Sequence, residues 1–386
     1  MNILMILDRE FPPDVRVENE IEALSSEGHT IHLACYTRKA RPSHEIQGQL
    51  NIHRKPISSF IYKSSVAALK APCYFRFWYK FLNEIANTVQ FDAVHVHDLP
   101  LAVVGAKIAK KKNAKLTLDF HEHWPSLLEV STHTQSILGK ILSSKKQWLA
   151  YEKKVCLIAD HIIVISEEFK NRLIGFGIPS QKIVVVSNTI NTNSLSGIKH
   201  KAKAPHFELF YGGGINKHRG LETIILAIPY ITAAIPDFKF VIAGAGTYSS
   251  ALKKMCSELN IAQHVEFTGH LEFKVMMERL STSWLAAIPF HKNNHTDIAV
   301  PHKIFQYLSF GVPVIASNCS TITRILNELN TGIIYQWDSE SDFSRKIIEF
   351  NQNRSYHDAS AKSVLDRINN EFSWEIDSAR LKSIYK

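Results

Sequence analysis

Cysteine is scarce in this sequence, and no two cysteines lie close together along the chain. The five are odd in number and include no Cys-x-x-Cys pair: Cys35, Cys73, Cys156, Cys256 and Cys319. Secreted disulfide scaffolds and cysteine zinc sites need paired or closely spaced cysteines, so the spacing argues against both classes. The sequence therefore predicts free thiols in a reducing compartment.

Long hydrophobic runs and several ligand-binding motifs are also missing. No run approaches the roughly 18 apolar residues of a membrane span, and the start Met-Asn-Ile-Leu lacks the basic region and long apolar core of a signal peptide. There is no P-loop, and the glycines at 212–214 do not continue as Gly-x-Gly-x-x-Gly. No zinc-finger, helix-turn-helix or aromatic RNP pattern points to nucleic acid. We expect a cytoplasmic protein without a nucleic-acid partner.

Basic residues outnumber acidic ones, 45 to 36, which gives a formal net charge of +9. This excess favours anionic partners such as phosphorylated ligands or membranes. Residues 60–80 mix cations with aromatic side chains, five of them at 74–79, a blend typical of a membrane interface, where the alternative is a packed aromatic cluster with solvated cations. Residues 138–154 repeat the blend around Trp148 and favour neither interpretation. We expect segment 60–80 to meet an anionic membrane surface, on the inner face of the cell membrane.

Apolar strands and amphipathic helices alternate twice along the chain. The first series begins with NILMIL at 2–7 and TIHLAC at 30–35, separated by a helix on which Val17, Ile21 and Leu24 recur at helical spacing. Further strands are expected at these ranges: 93–96, 115–119, 161–165 and 182–186. The second series includes FELFYGG, FKFVIAG, HVEFTG, WLAAIPF and PVIAS. This pattern predicts an α/β protein with two doubly wound parallel sheets.

A polar stretch after Asn188 has the composition of a linker between the two series. We place an N-terminal Rossmann-like domain at 1–190, a second Rossmann-like domain at 205–370, and a C-terminal helix at 371–386 that packs back on the first domain. Ligands of such sheets lie beyond the carboxyl ends of the strands, so we expect a site in a central cleft that the two domains face.

Chemically capable side chains follow nearly every predicted strand, which favours one shared site. In the first series they include Asp14, Arg16, His97, Asp98, His121, Glu122 and His123. In the second they include the loop GGGINKHRG with Arg219, the pair Gly244 and Gly246, and Thr268 with Gly269. His95 and His97 share a strand face, so zinc is an alternative there, but the sequence offers no third ligand with convincing spacing.

The segment VPHKIFQYLSFGVPVIAS, at 300–317, predicts a short helix ended by Gly311 and followed by a buried strand. Ile304, Phe305 and Leu308 form its apolar side, and Lys303 and Gln306 share the other side. A lysine at a helix N-terminus suits a phosphate group. The alternative is an ordinary amphipathic helix with a solvated lysine.

Taken in order along nearly the whole chain, these motifs resemble the retaining glycosyltransferases of family 4, which have the GT-B fold. The resemblance is carried by FPPDVRVENEIEALSSEGHTIHLACY, VHVHDLP, LTLDFHEHWP, YGGGINKHRGLETIILAI, FVIAGAG, VEFTGHL and AIPFHKNNHTDIAVPHKIFQYLSFGVPVIAS. Such enzymes move a sugar from a nucleotide-diphosphate sugar to an acceptor with retention of configuration. The resemblance implies a glycan or lipid-linked acceptor and a role in cell-surface polysaccharide biosynthesis.

The resemblance also implies residue roles. His121 matches a histidine beside the acceptor and the donor sugar, and would be the catalytic residue. Donor binding is expected from Gly213, Gly214, Arg219, Gly244, Thr268, Gly269, Asp297, Lys303 and Gln306. The acceptor side is expected to include Asp14, Arg16, His97, Asp98 and Glu122.

The chain departs from the family pattern at three positions. Gln306 and Ile298 stand where the family has two glutamates, and Gly214 stands where many relatives have a second phosphate-binding arginine. Gln306 can still donate and accept hydrogen bonds, and Asp297 is a substitute for the missing carboxylate at Ile298. Arg219, Lys303 and helix N-termini would neutralise the leaving diphosphate, so we expect no metal site, no cofactor and no essential Mg²⁺.

Two alternatives to a transferase remain. One is a GT-B nucleotide-sugar epimerase, which would need no acceptor and no membrane contact. The other is a non-catalytic sugar-nucleotide-binding partner subunit, which the replacements at Ile298 and Gln306 favour.

Overall fold

The computed structural model describes residues 1–130 and 137–386, which form two compact units. The first unit contains Met1–Ser187 and Asp377–Lys386, and the second contains Asn188–Ile376. The first predicted domain was extended to 190 and the second began at 205. In the structure, residues 188–204 belong to the second unit.

The first unit is built on an eight-stranded sheet with the order β3-β4-β2-β1-β5-β6-β7-β8. All neighbouring strands are parallel except β3, which pairs antiparallel with β4 at the edge. The predicted strands are present, and β3 and β4 were not predicted. The strands are β1 (Asn2–Leu7), β2 (Thr30–Thr37), β3 (His44–Gln47), β4 (Leu50–Pro56), β5 (Ala93–His97), β6 (Lys115–Phe120), β7 (His161–Val164) and β8 (Ile183–Val185).

Helices connect the parallel strands of this first sheet. The first of them begins after Asp14, whose side chain accepts a hydrogen bond from the Val17 backbone N–H and so caps the helix. The helices are α1 (Val15–Ser26), α2 (Ser59–Ser64), α3 (Cys73–Thr88), α4 (Ala102–Lys112), α5 (Trp124–Val130), α6 (Ile137–Leu142), α7 (Lys145–Ile158) and α8 (Glu167–Gly175). Val17, Ile21 and Leu24 of α1 are buried as predicted. Arg16 and Glu20 of the same helix are buried too, which the apolar pattern did not predict.

The second unit has a six-stranded, wholly parallel sheet with the order β11-β10-β9-β12-β13-β14. Successive residues of its strands pack into different apolar clusters, because Leu209 and Tyr211 point to one and Phe210 to the other. Both faces are therefore covered, as in a doubly wound fold. The strands are β9 (Glu208–Gly212), β10 (Lys239–Ala243), β11 (Val265–Gly269), β12 (Leu285–Ile288), β13 (Val314–Ser317) and β14 (Ile333–Tyr335).

The helices of the second unit include the one predicted from the segment at 300–317. They are α9 (Leu221–Ala234), α10 (Ser249–Glu258), α11 (Phe273–Ser281), α12 (His302–Ser309), α13 (Ser320–Glu328), α14 (Glu340–Gln352), α15 (Arg354–Ser363) and α16 (Leu365–Glu371). On α12, Ile304, Phe305 and Leu308 are buried, whereas Lys303 and Gln306 are half-buried. The helix ends before Gly311, whose positive φ of 65° suits glycine.

The last helix, α17 (Trp374–Ser383), crosses the boundary between the units in sequence, since the first unit resumes at Asp377. Within the first unit, Leu381 and Tyr385 are buried, and the Tyr385 hydroxyl lies 2.7 Å from Nδ1 of His95 on β5. The final ten residues thus belong to the first unit, and Leu381 and Tyr385 lie in its core.

Candidate functional site

Two glycine loops at the carboxyl ends of β9 and β10 touch through their backbones. The Gly213 N–H donates to the Ala243 carbonyl at 2.8 Å, and the Ile215 N–H donates to the Ala245 carbonyl at 3.0 Å. A Cβ added at Gly244 would lie 1.9 Å from the Gly213 carbonyl oxygen. The close approach therefore requires glycine, which explains the Gly-Ala-Gly after β10.

The end of the neighbouring strand β11 continues this surface. The Gly244 N–H donates to the Gly269 carbonyl at 2.7 Å, and the Thr268 hydroxyl donates to the same carbonyl at 3.0 Å. The predicted donor-binding residues Gly213, Gly244, Thr268 and Gly269 are thus adjacent in the second unit.

Two cations lie beside the glycine loops. The Lys303 Nζ is 4.1 Å from the centroid of the Tyr211 ring and 5.5 Å from that of Phe290, and the Arg219 guanidinium is 4.7 Å from the Phe290 ring. A Cβ on Gly213 would come within 2.9 Å of the Lys303 Nζ, so the amine reaches the loop. Within the described part of the chain, neither cation forms an ion pair. Both charges are therefore available to an anion.

The basic side chains of this group lower one another's pKa. Burial, with the Arg219 charge as the next cause, holds the pKa of Lys303 well below its usual range. Burial and the nearby Arg219, His291 and Lys303 lower the pKa of His218 to about 4. Cationic groups that raise each other's free energy are expected where a ligand supplies the missing negative charge.

Two helices also begin at this position. Gly220, with a φ of 69°, precedes α9, and a Cβ there would lie 1.8 Å from the Pro289 carbonyl oxygen. Lys303 is the second residue of α12. Helix N-termini present free N–H groups and a partial positive charge, which adds to the attraction for phosphate.

Three other predicted donor-side residues differ in how available they are. The Asp297 carboxylate accepts hydrogen bonds from the Ser320 N–H at 2.8 Å and the Ser320 hydroxyl at 2.9 Å, so it holds the start of α13. Ile298 is buried, while Gln306 and Gly214 retain exposed surface. The Asp297 carboxylate, which the sequence suggested as a substitute for the missing glutamate, is thus already hydrogen-bonded to Ser320.

The first unit gathers its own polar residues at the ends of β5 and β6. The Nε2 of His121 lies 2.8 Å from Oδ2 of Asp119 and 3.2 Å from Nδ1 of His97. The Asp98 carboxylate accepts the His121 backbone N–H at 3.2 Å. Although burial opposes the charged imidazole, Asp119 and Asp98 raise the pKa of His121 to about 9. His121 is thus a partly exposed imidazolium held by carboxylates.

Arg9 joins two of the predicted acceptor-side residues to this group. Its guanidinium donates to Asp14 and to Asp98, each at 3.1 Å. Glu122 lies close enough to contribute to the raised pKa of Arg9. The structure therefore brings Asp14, Asp98, His121 and Glu122 together.

Arg16 and His97 were expected on the acceptor side, and the structure corrects this placement because both are buried inside the first unit. Arg16 donates to Asp119 at 2.8 Å and to the Val186 carbonyl at 3.1 Å, and its Nε lies 3.0 Å from Glu20. Burial and the neighbouring His95 hold the pKa of His97 well below its usual range, so it is neutral. Both residues contact Asp119, which in turn contacts His121.

The sequence shows no third zinc ligand with convincing spacing beside His95 and His97, but the fold brings two carboxylates to this pair. In the described residues, ligand atoms of Glu20, His95, His97 and Asp119 all lie within 4.8 Å of one another. The Arg16 guanidinium already lies 2.8–3.0 Å from both carboxylates, so a dication would meet a fixed positive charge. We therefore assign no metal to this group.

Comparison with known proteins decides the family. The profile for Glycosyltransferase Family 4 matches residues 14–194, and the profile for Glycosyl transferases group 1 matches residues 198–364. The chain belongs to glycosyltransferase family 4. The two matches correspond closely to the two units.

Solved structures with low sequence identity share the same GT-B fold. Sucrose-phosphate synthase from Thermosynechococcus elongatus has a TM-score of 0.78 at 15% identity, covering 100% of this chain and 98% of that one. Anabaena HepE in complex with UDP has a TM-score of 0.72 at 12% identity, covering 100% and 99%. The predicted fold class is confirmed.

A curated relative is the GDP-mannose-dependent monoacylated alpha-(1-6)-phosphatidylinositol monomannoside mannosyltransferase of Corynebacterium glutamicum. It is 27% identical over 168 residues, which cover 43% of this chain and 43% of the relative. The match thus spans less than half of that relative's length.

For a member of this family, the structure adds residues that the motifs did not reveal. Asp119, Glu20 and Tyr385 all contact the polar group around His121 or the network beneath it. A signal was present for Glu20, because it lies three residues after Val17 and four before Leu24, inside the apolar stripe of α1. No comparable signal marks Tyr385, which is distant in sequence.

The aromatic segment at 60–80 is partly packed and partly exposed. Trp78 and Tyr74 are buried in the first unit, as the packed-cluster alternative expected. Phe60 remains 71% exposed, and Arg76 and Lys80 are exposed on α3. No helix among the described residues has the length and apolar character that a bilayer crossing requires. In the second basic segment, Trp148 is buried.

Proposed function

We propose that this protein is a retaining glycosyltransferase that transfers a sugar from a nucleotide-diphosphate sugar to a hydroxyl of a glycan or lipid-linked acceptor, in cell-surface polysaccharide biosynthesis. The second unit binds the donor, and the first unit supplies His121 and the acceptor contacts. The observation that carries the proposal is the pair of unpaired cations, Lys303 and Arg219, beside the glycine loops at 212–214 and 244–246.

The chemistry follows from where charge develops. The bond between the anomeric carbon and the diphosphate oxygen breaks, a bond from that carbon to the acceptor oxygen forms, and the acceptor proton leaves on the diphosphate. Lys303, Arg219 and the N-termini of α9 and α12 stabilise the negative charge on the departing diphosphate. This arrangement supplies the positive charge that a divalent cation would otherwise provide, so we propose that Mg²⁺ is not essential.

The donor surface consists mainly of backbone groups and two cations. Thr268 and Gly269, at the end of β11, would hold the nucleobase through backbone atoms, and Gln306 would contact the ribose hydroxyls. UDP in HepE and the GDP-mannose dependence of the corynebacterial mannosyltransferase support a nucleotide-diphosphate sugar as the donor.

A lipid-linked acceptor would bring the protein to the cytoplasmic membrane face. The corynebacterial relative acts on a phosphatidylinositol mannoside, and the exposed Phe60 and the cations of α3 support membrane contact in this chain. A non-catalytic sugar-nucleotide-binding subunit is the second candidate, because Ile298 is buried and apolar and Asp297 is engaged with Ser320.

A thermal-shift panel of UDP-, GDP-, ADP- and TDP-sugars tests donor binding first. The stabilising donor is then supplied in radiolabelled form with either membrane lipid extract or a soluble oligosaccharide as the acceptor. We expect transfer by the wild type and loss of transfer with retained nucleotide binding in His121→Ala. His161→Ala, at the opposite end of the same sheet, is the control and should remain active.

Three outcomes separate the candidates. Binding without transfer to any acceptor supports the non-catalytic subunit, and interconversion of donor sugars without an acceptor supports an epimerase. Absence of stabilisation by every nucleotide sugar contradicts the proposed function altogether.

A further inference from the structure

The first unit contains a buried network of ionisable side chains that has more members than an ordinary ion pair. Five ionisable side chains on three elements are almost wholly buried: Arg16 and Glu20 on α1, His95 and His97 on β5, and Asp119 on β6. Burying such groups costs free energy unless they are paired, and an apolar core of equal volume is often as stable. The network therefore needs a reason beyond stability.

The contacts of this network converge on Asp119, which in turn contacts the partly exposed His121. Asp119 receives Arg16 on Oδ1 at 2.8 Å, and His121 on Oδ2 at 2.8 Å. His97 adds its Nδ1 at 3.3 Å from the same Oδ2. Among these groups, only the His121 side chain keeps appreciable exposure, at 12%. The buried residues thus hold the one imidazole that can meet a ligand.

We propose that Asp119 is a positioning residue, oriented by Arg16, that fixes His121 as an imidazolium with its Nε2–H committed to the carboxylate. This inference rests on the proposed function for the role of His121 in transfer. In this state His121 meets the sugar or acceptor as a hydrogen-bond donor through Nδ1 and cannot accept the proton of the acceptor hydroxyl. That proton leaves on the diphosphate oxygen instead.

The charged groups around His121 favour this state from several directions. Asp119 on β6 lies at Nε2, and Asp98 at the end of β5 has its Oδ2 3.9 Å from Nδ1. Arg16 on α1 opposes a further positive charge, whereas burial lowers the pKa of the neighbouring His97 and His95 on β5. Glu20 on α1 lies beside Arg16, and Arg9 before α1 lies beside Asp98. The two carboxylates prevail, because burial of the pair strengthens their attraction for the imidazolium.

The neutral state of His97 is part of the arrangement. Its Nδ1 faces both Asp119 and His121, at 3.3 and 3.2 Å. Burial and His95 lower the pKa of His97. Of these two adjacent imidazoles, only the partly exposed His121 carries a positive charge.

The test is a histidine-ring NMR titration of the full chain, without any ligand, from pH 5.5 to pH 10. The His121 signal is assigned from the spectrum of His121→Gln. In the wild type we expect the imidazolium to persist up to about pH 9. In Asp119→Asn the titration should move down toward the ordinary value of about 6.5. Tyr385→Phe removes the hydroxyl that contacts His95 in the same network and should leave the His121 titration unchanged.

A second readout separates positioning from structural support. If the proposed transfer is observed, kcat for the wild type should hold up to about pH 9 and then fall, whereas kcat for Asp119→Asn should fall from about pH 6.5 with KM for the donor unchanged. Asp119→Glu, which keeps the charge, should restore part of the pH range.

Wild-type His121 titrating near 6.5 overturns the proposal whether or not Asp119→Asn folds. An unshifted His121 in a folded Asp119→Asn protein overturns it as well. Because the titration needs no substrate, a failure of the proposed function would appear only in the transfer assay, and the two failures remain distinguishable.

Discussion

At the scale of single residues, the environment of each histidine decides its charge. His121 is flanked by two carboxylates, so its pKa rises to about 9, whereas His97 beneath it is buried beside another imidazole and its pKa falls. A third setting occurs at the edge of the first sheet, where His32, His53 and His44 stack with ring centroids 5.4 and 4.8 Å apart. One residue type thus serves as cation, neutral support and stacked ring in a single unit.

We predict that this stack makes the first unit less stable as the pH falls from about 6.5 to about 4. Burial lowers the pKa of His53 to about 4, and the unfolded value is about 6.5. In this window the unfolded state binds more protons, so the stability is full above pH 6.5 and is lost toward pH 4. With allowance for solvent screening of a half-buried ring, His53→Asn should remove about 1–2 kcal/mol of this dependence.

Urea unfolding at pH 7.5 and pH 4.5 measures the effect. The difference in unfolding free energy between the two pH values should be smaller in His53→Asn than in the wild type. The matched control is His270→Asn, since His270 is an exposed histidine of the second unit. An equal pH difference in wild type and His53→Asn would rule out the stack as the cause.

Residues in ordered motifs could be located from the sequence, and buried polar partners could not. Lys303, Arg219 and His121 follow strands or begin helices, so their placement near strand ends was predictable. Arg16 was predicted to face an acceptor because its motif follows the carboxyl end of the first strand. It is buried here because Asp119 and Glu20, which come from two different elements, supply its counter-charges.

At the scale of elements, two glycines in the loops after β9 and β10 differ in the space that surrounds them. A Cβ on Gly246 would lie 2.0 Å from the Ile215 carbonyl oxygen, whereas a Cβ on Gly214 would meet only the Asn216 amide at 3.5 Å. At Gly246 no side chain fits unless the backbone moves. At Gly214 the contact is an ordinary van der Waals distance.

We predict that Gly246→Ala destabilises the second unit by about 1–3 kcal/mol, because the added methyl group must displace the loop after β9. Gly214→Ala is the matched control and should change stability by less than about 0.5 kcal/mol. Differential scanning calorimetry of both variants checks this. Equal stability of the two variants would mean that the backbone contact between the loops does not form.

A second prediction at the scale of elements concerns membrane binding by the helices of segment 60–80. We predict that the protein binds anionic liposomes through α2 and α3, and that Arg76→Glu with Lys80→Glu weakens binding on the order of thirtyfold. Each basic residue near an anionic surface contributes about 1 kcal/mol, and two such residues give about 2 kcal/mol.

Flotation with phosphatidylglycerol-containing liposomes at low and high salt measures this binding. Lys254→Glu with Lys274→Glu makes the same change in net charge on exposed lysines of the second unit and should bind like the wild type. Binding should weaken as salt rises, because screening shortens the reach of the charges. No binding at low salt would favour a soluble acceptor.

Most of the parallel strands were predictable because each is a short apolar run between turns, whereas the parallel strands β4 and β14 and the antiparallel strand β3 were not predicted. On β4, Leu50, Ile52 and Arg54 alternate inward, and the charge of Arg54 conceals the pattern. Arg54 is buried because Glu45 on β3 pairs with it at 2.7 Å. Recognition of such a strand requires knowledge of its partner, which sequence periodicity does not contain.

At the scale of the whole molecule, the chain divides into two α/β units. The alternation of strands and helices predicted two doubly wound sheets, and the profile matches at 14–194 and 198–364 agree with this division. The exact assignment of the last helix depends on tertiary packing, because Leu381 and Tyr385 are buried only through contacts with distant residues of the first unit.

The central claim is that the second unit binds the diphosphate of a nucleotide sugar through Lys303 and Arg219. Lys303→Met tests it most sharply, because methionine keeps most of the side-chain length and removes the ammonium group with its charge and hydrogen-bond donors. A charge that is buried beside Arg219 without an ion pair destabilises the free protein, so its removal should leave stability unchanged or higher. If thermal unfolding of Lys303→Met is unchanged or occurs at a higher temperature, its loss of affinity does not result from unfolding.

Isothermal titration calorimetry of the full chain with UDP and with GDP, alongside thermal unfolding without nucleotide, is the deciding measurement. We expect one nucleotide to bind the wild type, and affinity to fall roughly ten- to a hundredfold in Lys303→Met and in Arg219→Ala, since each loses a charge-assisted hydrogen bond of about 1.5–3 kcal/mol. Lys254→Ala, an exposed control, should bind like the wild type. Wild-type affinity in both Lys303→Met and Arg219→Ala would contradict the assignment of the donor site.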